Sequence, residues 1–262
     1  MWVDYFNYEY AIAADTLFIK GLDESDRSRE AFAVPIGALP LSAAVEALRR
    51  YCGIRGTVPV LSAVPEEYIP AFTMLGATDI RRLDSWADYL YDAESLATLQ
   101  GHAFNKKRNH VNRFLADNPD AVLTDISTTD IPEILAFIDA IDITAKADIA
   151  MAEYERKQTR AVFEQWNRFP FFGAVLRASG RIVAFTAAEV IGDTLIIHIE
   201  KMDHNVAGAG ESINKMFAAR TLEVFPEVRY INREDDAGDP GLRRAKESYH
   251  PCRLLHKYDL TL

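Results

Sequence analysis

Over the first third of the chain, apolar positions come in short runs broken by turn residues. Tyr8–Ala14 and Thr16–Lys20 flank Asp15 as two strands flank a tight turn. Ala31–Ile36 is a further apolar run. After Pro40, Leu41, Val45, Leu48 and Tyr51 recur at helical spacing, and Gly53 stops that helix. Val58–Val64 reads as a buried strand. Pro65-Glu66-Glu67 opens a second helix that Gly76 ends, and Ala77–Leu83 and Trp86–Tyr91 read as extended. From Asp92 to Asn118 the chain has a single glycine and no proline. Leu96, Leu99, Phe104, Val111, Phe114 and Leu115 form an apolar stripe there, which predicts one long linking helix.

Asn118-Pro119-Asp120 is the clearest break, and it predicts a domain boundary: 1–118, then 119–262. Beyond it come a strand (Ala121–Ile126), a helix (Thr129–Ile141, with Asp130 and Glu133 in its first turn) and a second helix (Ala152–Asn167). Strands at Phe171–Arg177, Ile182–Val190 and Leu195–Lys201 follow, joined by Ala178-Ser179-Gly180 and Gly192-Asp193. The chain closes with helix Gly208–Val224, strand Arg229–Asn232, helix Gly241–Tyr249 and a strand over Arg253–Leu260. Three consecutive hairpin strands followed by helix, strand, helix and strand predict a mixed, mostly antiparallel sheet flanked by helices. The first third repeats the end of that order. The fold class is therefore α/β (α+β), with two related units.

The composition is that of a globular protein, with 49% apolar and 26% charged residues. No apolar run reaches the ~18 residues that cross a bilayer. The opening residues carry no secretory signal, and Cys52 and Cys252 stand far apart; both point to the cytoplasm. No Cys/His cluster has metal-site spacing, so no metal is expected. A formal net charge of −10 gives no global attraction for nucleic acid, and DNA is excluded as a partner. One local basic run, Lys106, Lys107, Arg108, His110 and Arg113, is either a solvated helix face or an RNA contact through Lys106, Lys107, Arg108 and Arg113.

Three features carry candidate chemistry. Asn205-Val206-Ala207-Gly208-Ala209-Gly210 lies between a strand and a helix. Gly208 and Gly210 let the backbone approach an anion that free helix-start N–H groups would hold. In strand Leu195–Lys201 strict alternation puts His198 and Glu200 on one face with Ile196. Glu200 could deprotonate an incoming ammonium while His198 relays or orients, or the two could simply form a solvated pair. The loop Asn232, Arg233, Glu234, Asp235, Asp236 to Arg243 crowds both signs of charge beside a strand end, where acids could hold a cationic substrate and arginines a phosphate. A metal-dependent hydrolase using Glu234, Asp235, Asp236 and Asp239 is a weaker reading, because Arg233 or Arg243 accounts for those acids.

The glycine loop resembles the Q/R-x-x-G-x-G/A loop of Gcn5-related (GNAT) acyltransferases, which holds the coenzyme A pyrophosphate; Asn205 stands in its first position. Asn232, then Ala245-Lys246-Glu247-Ser248-Tyr249, resembles the stretch in which these enzymes carry a tyrosine general acid, and Tyr249 falls on it. A narrower resemblance covers nearly the whole chain. Asn232-Arg233-Glu234-Asp235-Asp236, Gly238, Gly241-Leu242-Arg243, Ala245-Lys246, Ser248-Tyr249 and Pro251 resemble soluble relatives of the phosphatidylglycerol lysyltransferase C-terminal domain. Tyr89-Leu90-Tyr91 and Lys106–Phe114 fit the same group.

That resemblance implies two GNAT-like units, the first short at its start. It also implies transfer of an acyl or aminoacyl group to an amine or hydroxyl, with acyl-CoA or aminoacyl-tRNA as donor and no covalently bound cofactor. The donor phosphate would sit at Asn205, Gly208 and Gly210, and its carbonyl near Lys201-Met202. Glu200 would act as base and Tyr249 as acid. Asn at 205 leaves a second reading open, a non-catalytic ligand- or RNA-binding scaffold. The sequence gives neither the acceptor nor the oligomeric state.

Overall fold

The computed structural model describes residues 4–23, 26–141 and 149–262. Two compact units result: the first runs to Ala87 and resumes at Leu255–Leu262, and the second is Asp88–Leu254. This differs from the boundary expected at Asn118–Asp120, which lies within the second unit.

The first unit contains β1 (Glu9–Ala13), β2 (Thr16–Leu22), β3 (Glu30–Phe32), β4 (Ile36–Gly37), α1 (Leu41–Ile54), β5 (Val60–Pro65), α2 (Ile69–Met74) and β6 (Thr78–Arg82). Ala14 and Asp15 both adopt positive φ, the geometry of a two-residue hairpin turn. Next come β7 (Asp88–Asp92), α3 (Ala93–Thr98), α4 (Asn105–Asp117), β8 (Val122–Asp125), α5 (Ile131–Ala140) and α6 (Ile149–Glu164). They are followed by β9 (Phe172–Ala178), β10 (Arg181–Ile191), β11 (Thr194–Met202), α7 (Ala209–Val224), β12 (Tyr230–Asn232), α8 (Pro240–Glu247), β13 (Arg253–Leu255) and β14 (Lys257–Thr261).

The expected fold class is what these elements form, two mixed sheets flanked by helices. The first sheet runs β1-β2-β3-β5-β14-β6, with β4 beside β2; the second runs β13-β7-β12-β11-β10-β9-β8. The single strand expected over Arg253–Leu260 is therefore two. β13 ends the second sheet, whereas β14 lies between β5 and β6, pairing Leu260 with Leu61 and Tyr258 with Arg82. β7 fills the matching place in the second sheet, between β12 and β13.

The helix expected over Asp92–Asn118 is also divided. Asp92 caps α3 by accepting from the Ser95 N–H at 2.7 Å, Leu99 turns left-handed at φ 51°, and Gly101 follows at φ 88°. Arg108 donates to the carbonyls of Leu99 and Gly101, which fixes the break.

In the first unit, Val45, Leu48, Cys52, Leu61, Val64, Phe72 and Leu260 form the core. Buried Asp259 on β14 accepts from Ser62 Oγ (2.7 Å), Arg81 (2.7 Å) and Arg29 (3.0 Å), and Arg29 also holds buried Asp23. The second sheet is covered on both faces. One face packs Ala174, Ala188, Leu195, Ile197 and Ile231 against Leu96, Phe217 and Ala218 of α3 and α7. The other packs Val175, Phe185, Ala187 and Ile199 against Ile134, Ile138, Val162 and Phe163 of α5 and α6.

Replacing Asp259 by Ala should cost about 2 kcal/mol. This is below the usual cost of breaking a buried pair, because Arg29 and Arg81 keep partial access to water. Urea unfolding monitored by circular dichroism reads this loss directly; an unchanged midpoint would show that the carboxylate does not hold β14 in place.

Candidate functional site

Strand pairing sets the site. β11 and β12 are parallel and pair only at Thr194–Tyr230, Leu195–Ile231 and Ile196–Asn232, although β11 runs on to Met202. Arg233 follows β12 into the parting. Its backbone N–H donates to the Tyr89 carbonyl at 3.0 Å, and its Nη2 donates to Glu200 Oε1 at 2.7 Å. Both side chains are largely buried. Among the described residues Glu200 Oε2 and Arg233 Nη1, both buried, have no partner, so the pair leaves one acceptor and one donor unanswered. Burial opposes the Arg233 charge, but Glu200 beside it more than compensates and raises its pKa.

Tyr249, just beyond α8, is buried against this pair. The Arg233 guanidinium lies 5.1 Å from its ring centroid. Burial pushes the phenol above its ordinary value, with Arg233 acting against the rise, so Tyr249 keeps its proton. Tyr91 lies beneath Arg233, 5.9 Å from guanidinium to ring centroid, and donates to the Lys246 carbonyl at 2.9 Å.

His198 and Glu200 do not share a face, because a β-bulge intervenes. Ala188 pairs with Ile197 and Ala187 with Ile199, leaving His198 as the extra residue. Ile197 therefore packs toward α3 and α7, whereas Ile199 packs toward α5 and α6. Glu200 is turned to Arg233, while His198 is turned to Glu189 (Nε2, 2.9 Å), Glu234 (Nδ1, 2.7 Å) and the Phe171 ring. Burial works against protonating this imidazole, yet the two carboxylates outweigh it and raise its pKa. His198, held from both sides, ties β10 and the Glu234 loop to β11, and among the described residues it makes no hydrogen bond to Glu200.

The charged loop is answered from within. Asp236 is buried and takes a two-pronged pair from Arg243 (2.7 and 3.0 Å), the Tyr89 hydroxyl (2.7 Å) and the Gly238 N–H (2.9 Å). Burial opposes ionisation of Asp236, but these donors lower its pKa. Asp235 Oδ1 accepts from the Ala237 N–H, Asp239 Oδ1 from Gly241 and Leu242, and Asn232 Oδ1 from Glu234. Asn232 also donates to Asp88 at 3.2 Å. These contacts leave the metal-hydrolase reading without support.

Lys246, outside the expected site residues, organises this turn. Its Nζ donates to the carbonyls of Arg233 (2.6 Å), Glu234 (3.2 Å) and Asp235. Burial, helped by Arg233, lowers its pKa to about 8.

The glycine loop has a packing reason of its own. A Cβ on Gly208 would lie 2.7 Å from the His110 carbonyl oxygen of α4, and one on Gly210 would lie 2.2 Å from Met202 Sδ. Gly208 also has φ 83°, in the left-handed region. Glu211, in the first turn of α7, brings a carboxylate to the helix start. Its burial opposes ionisation, but His110 (3.0 Å) and Lys107 (3.5 Å) overcome this and lower its pKa. Asn205 is turned to Asp203 through both its backbone and its side-chain nitrogen.

The basic run does not form one patch. Lys106 and Arg113 face outward, with Arg113 beside Asp117. Arg108 closes the α3–α4 break and Lys107 points inward. Glu211 and Glu189 escaped the sequence reading, since only the fold brings them to His110 and His198. Tyr89 and Tyr91 could have been found from their alternation in a strand, and Lys246 from its place in the same motif as Tyr249.

Strand order, parted parallel strands and a glycine turn leading into the helix between them define a mixed α/β scaffold. The chain belongs to the family described as phosphatidylglycerol lysyltransferase, C-terminal, whose model matches residues 1–261. A conserved protein of unknown function from Bacteroides thetaiotaomicron is similar at 30% identity, with TM-score 0.88, over 100% of this chain and 88% of that one. L-PGS from Bacillus licheniformis is similar in fold at 14% identity, with TM-score 0.63, over 97% of this chain and 83% of that one. A search of curated proteins finds no match. Among the described residues no helix is long and apolar enough to cross a membrane.

The His198 clasp has a definite pH signature. A folded-state pKa above the unfolded value near 6.5 gives stability that is complete below that pH and lost as pH rises through the folded value. The stability difference between the parent and His198→Gln should therefore be greatest near pH 6 and shrink toward pH 9. Urea titrations across that range test it, and a difference that grows with pH would contradict the clasp.

Proposed function

We propose that the second unit transfers an activated acyl or aminoacyl group from an ester or thioester donor to an amine or hydroxyl acceptor. The observation that carries this reading is the Glu200–Arg233 pair beneath Tyr249, with one unanswered acceptor and one unanswered donor where β11 and β12 part. The acceptor's X–H would give its proton to Glu200 Oε2 as X attacks the donor carbonyl carbon. Arg233 Nη1 would hold the oxygen that becomes negative in the tetrahedral intermediate. As the bond to the leaving oxygen or sulfur breaks, Tyr249 would protonate that atom. Positioning of donor and acceptor would supply much of the remaining acceleration. Tyr249 is still protonated and so has a proton to give, and Glu200 has an oxygen free to take one.

The donor can be acyl-CoA or aminoacyl-tRNA. Gly208 and Gly210 would approach its phosphates by backbone, with Glu211 displaced from the helix start. Lys106 and Arg113 are the basic residues open to an RNA. A second reading, a ligand-binding scaffold without chemistry, is favoured by that same Glu211, which already fills the helix start.

Donor turnover with candidate aminoacyl-tRNAs and acyl-CoAs, in the presence of amine acceptors, tests both readings. Tyr249→Phe and Glu200→Gln should each lower kcat by ~10²-fold or more with little change in KM. If both variants turn over donor as fast as the parent, the roles assigned to Tyr249 and Glu200 fall. Reversing Lys106 and Arg113 to Glu should abolish tRNA binding, and unchanged binding would remove Lys106 and Arg113 as the RNA contact.

A further inference from the structure

The basic run on α4 conceals a residue with a different task. Lys107, Val111 and Phe114 recur at helical spacing, and Val111 and Phe114 are buried, so Lys107 belongs to the inward stripe. Its side chain is only 14% exposed. Its ammonium lies 4.1 Å from the Tyr249 ring centroid, and the Arg233 guanidinium lies 5.1 Å from the same point. Two cations thus attend one buried phenol. Arg233 is engaged by Glu200 at 2.7 Å, whereas the carboxylate paired with Lys107, Glu211, stands 3.5 Å away.

A buried phenol is a poor acid unless something answers the phenolate it leaves behind. We propose that Lys107 is the positioning residue for Tyr249, its ammonium neutralising the phenolate that forms as Tyr249 gives its proton to the leaving group. This inference rests on Tyr249 being the acid of the proposed transfer. In that step the O–H bond of Tyr249 breaks and the new bond forms to the leaving oxygen or sulfur. The phenolate then has the Lys107 ammonium over its ring and regains a proton from solvent, to which Glu200 releases the one it took.

The groups facing Lys107 set its own protonation. Burial pulls its pKa below the ordinary lysine value, Glu211 on α7 opposes that fall, and Arg233 and Lys106 add to it. His110, one helical turn along α4, shares the Glu211 carboxylate, and Tyr249 completes the surroundings. The amine therefore loses its proton at a pH where ordinary lysines keep theirs.

Two measurements on the full chain test this. Lysine Nζ-detected NMR should show the Lys107 ammonium titrating below the exposed lysines, with Glu211→Gln moving it lower still. A Lys107 that titrates with the exposed lysines is not buried against Tyr249, and that overturns the inference without reference to any substrate. In donor turnover, Lys107→Met should lower kcat roughly tenfold to a hundredfold at unchanged KM, and Lys107→Arg should restore most of the rate. Lys107→Arg should also carry the alkaline limb of the pH profile upward, since a guanidinium keeps its charge. A Lys107→Met protein as fast as the parent, or no rescue by Arg, overturns the inference where Tyr249→Phe is slow. If Tyr249→Phe is itself as fast as the parent, it is the acid reading that fails, and this role of Lys107 falls with it, whatever the NMR result.

Discussion

A guanidinium shut away from water must be answered by the chain that buries it, and Arg233 is the residue around which the second unit is arranged. Glu200 answers its charge, Tyr89 takes its backbone N–H, and Tyr91 and Tyr249 wall its sides. The parting of β11 from β12 makes room for it, and Lys246 bends the following carbonyls so that the chain can turn away again. The Glu200 and ring contacts depend on the guanidinium itself, whereas Tyr89 and Lys246 hold the main chain that carries it. The pair still leaves a donor and an acceptor without partners, in a protein whose neighbouring loop acids are all matched. Such incompleteness is costly in a purely structural pair and useful in a site that receives a reactant.

The second feature that shapes the site is the bulge at His198. One additional residue in β11 reverses the sense of every side chain beyond it. It delivers Glu200 to the face of Tyr249 and sends Lys201 to the opposite face, where it meets Glu155 of α6 at 2.5 Å. His198, at the point of reversal, is held between two carboxylates. A regular strand would have put Glu200 among the aromatic side chains packed beneath α5 and α6.

Much of this molecule could be read from its residues. Periodicity located nearly every element, since helix and strand spacing are local properties. The division of the Asp92–Asn118 helix could not be read, because it depends on Arg108 reaching back to two carbonyls. The bulge was hidden too, for alternation along β11 looks unbroken until its register against β10 is known. The glycine loop was legible as a close approach of backbone, but what approaches first is α4 and Met202 of the chain itself. The basic run looked uniform in sequence, yet its helix turns each member toward a different neighbour. Tyr249, Glu200 and Arg233 were legible as types of residue at a strand and a helix end, and only their meeting required three dimensions.

The place of β14 carries a consequence for how the chain comes into being. The sheet that β1 to β3 begin remains open between β5 and β6 until β14 has been made, because the strand lying between those two follows the whole second unit in sequence. Protein synthesis is vectorial, and most domains fold as soon as they emerge. Here the amino-terminal sheet must wait, with its strand edges uncovered, through the production of the entire second unit. β14 thus acts as a keystone, and a chain interrupted before β14 leaves that sheet open between β5 and β6.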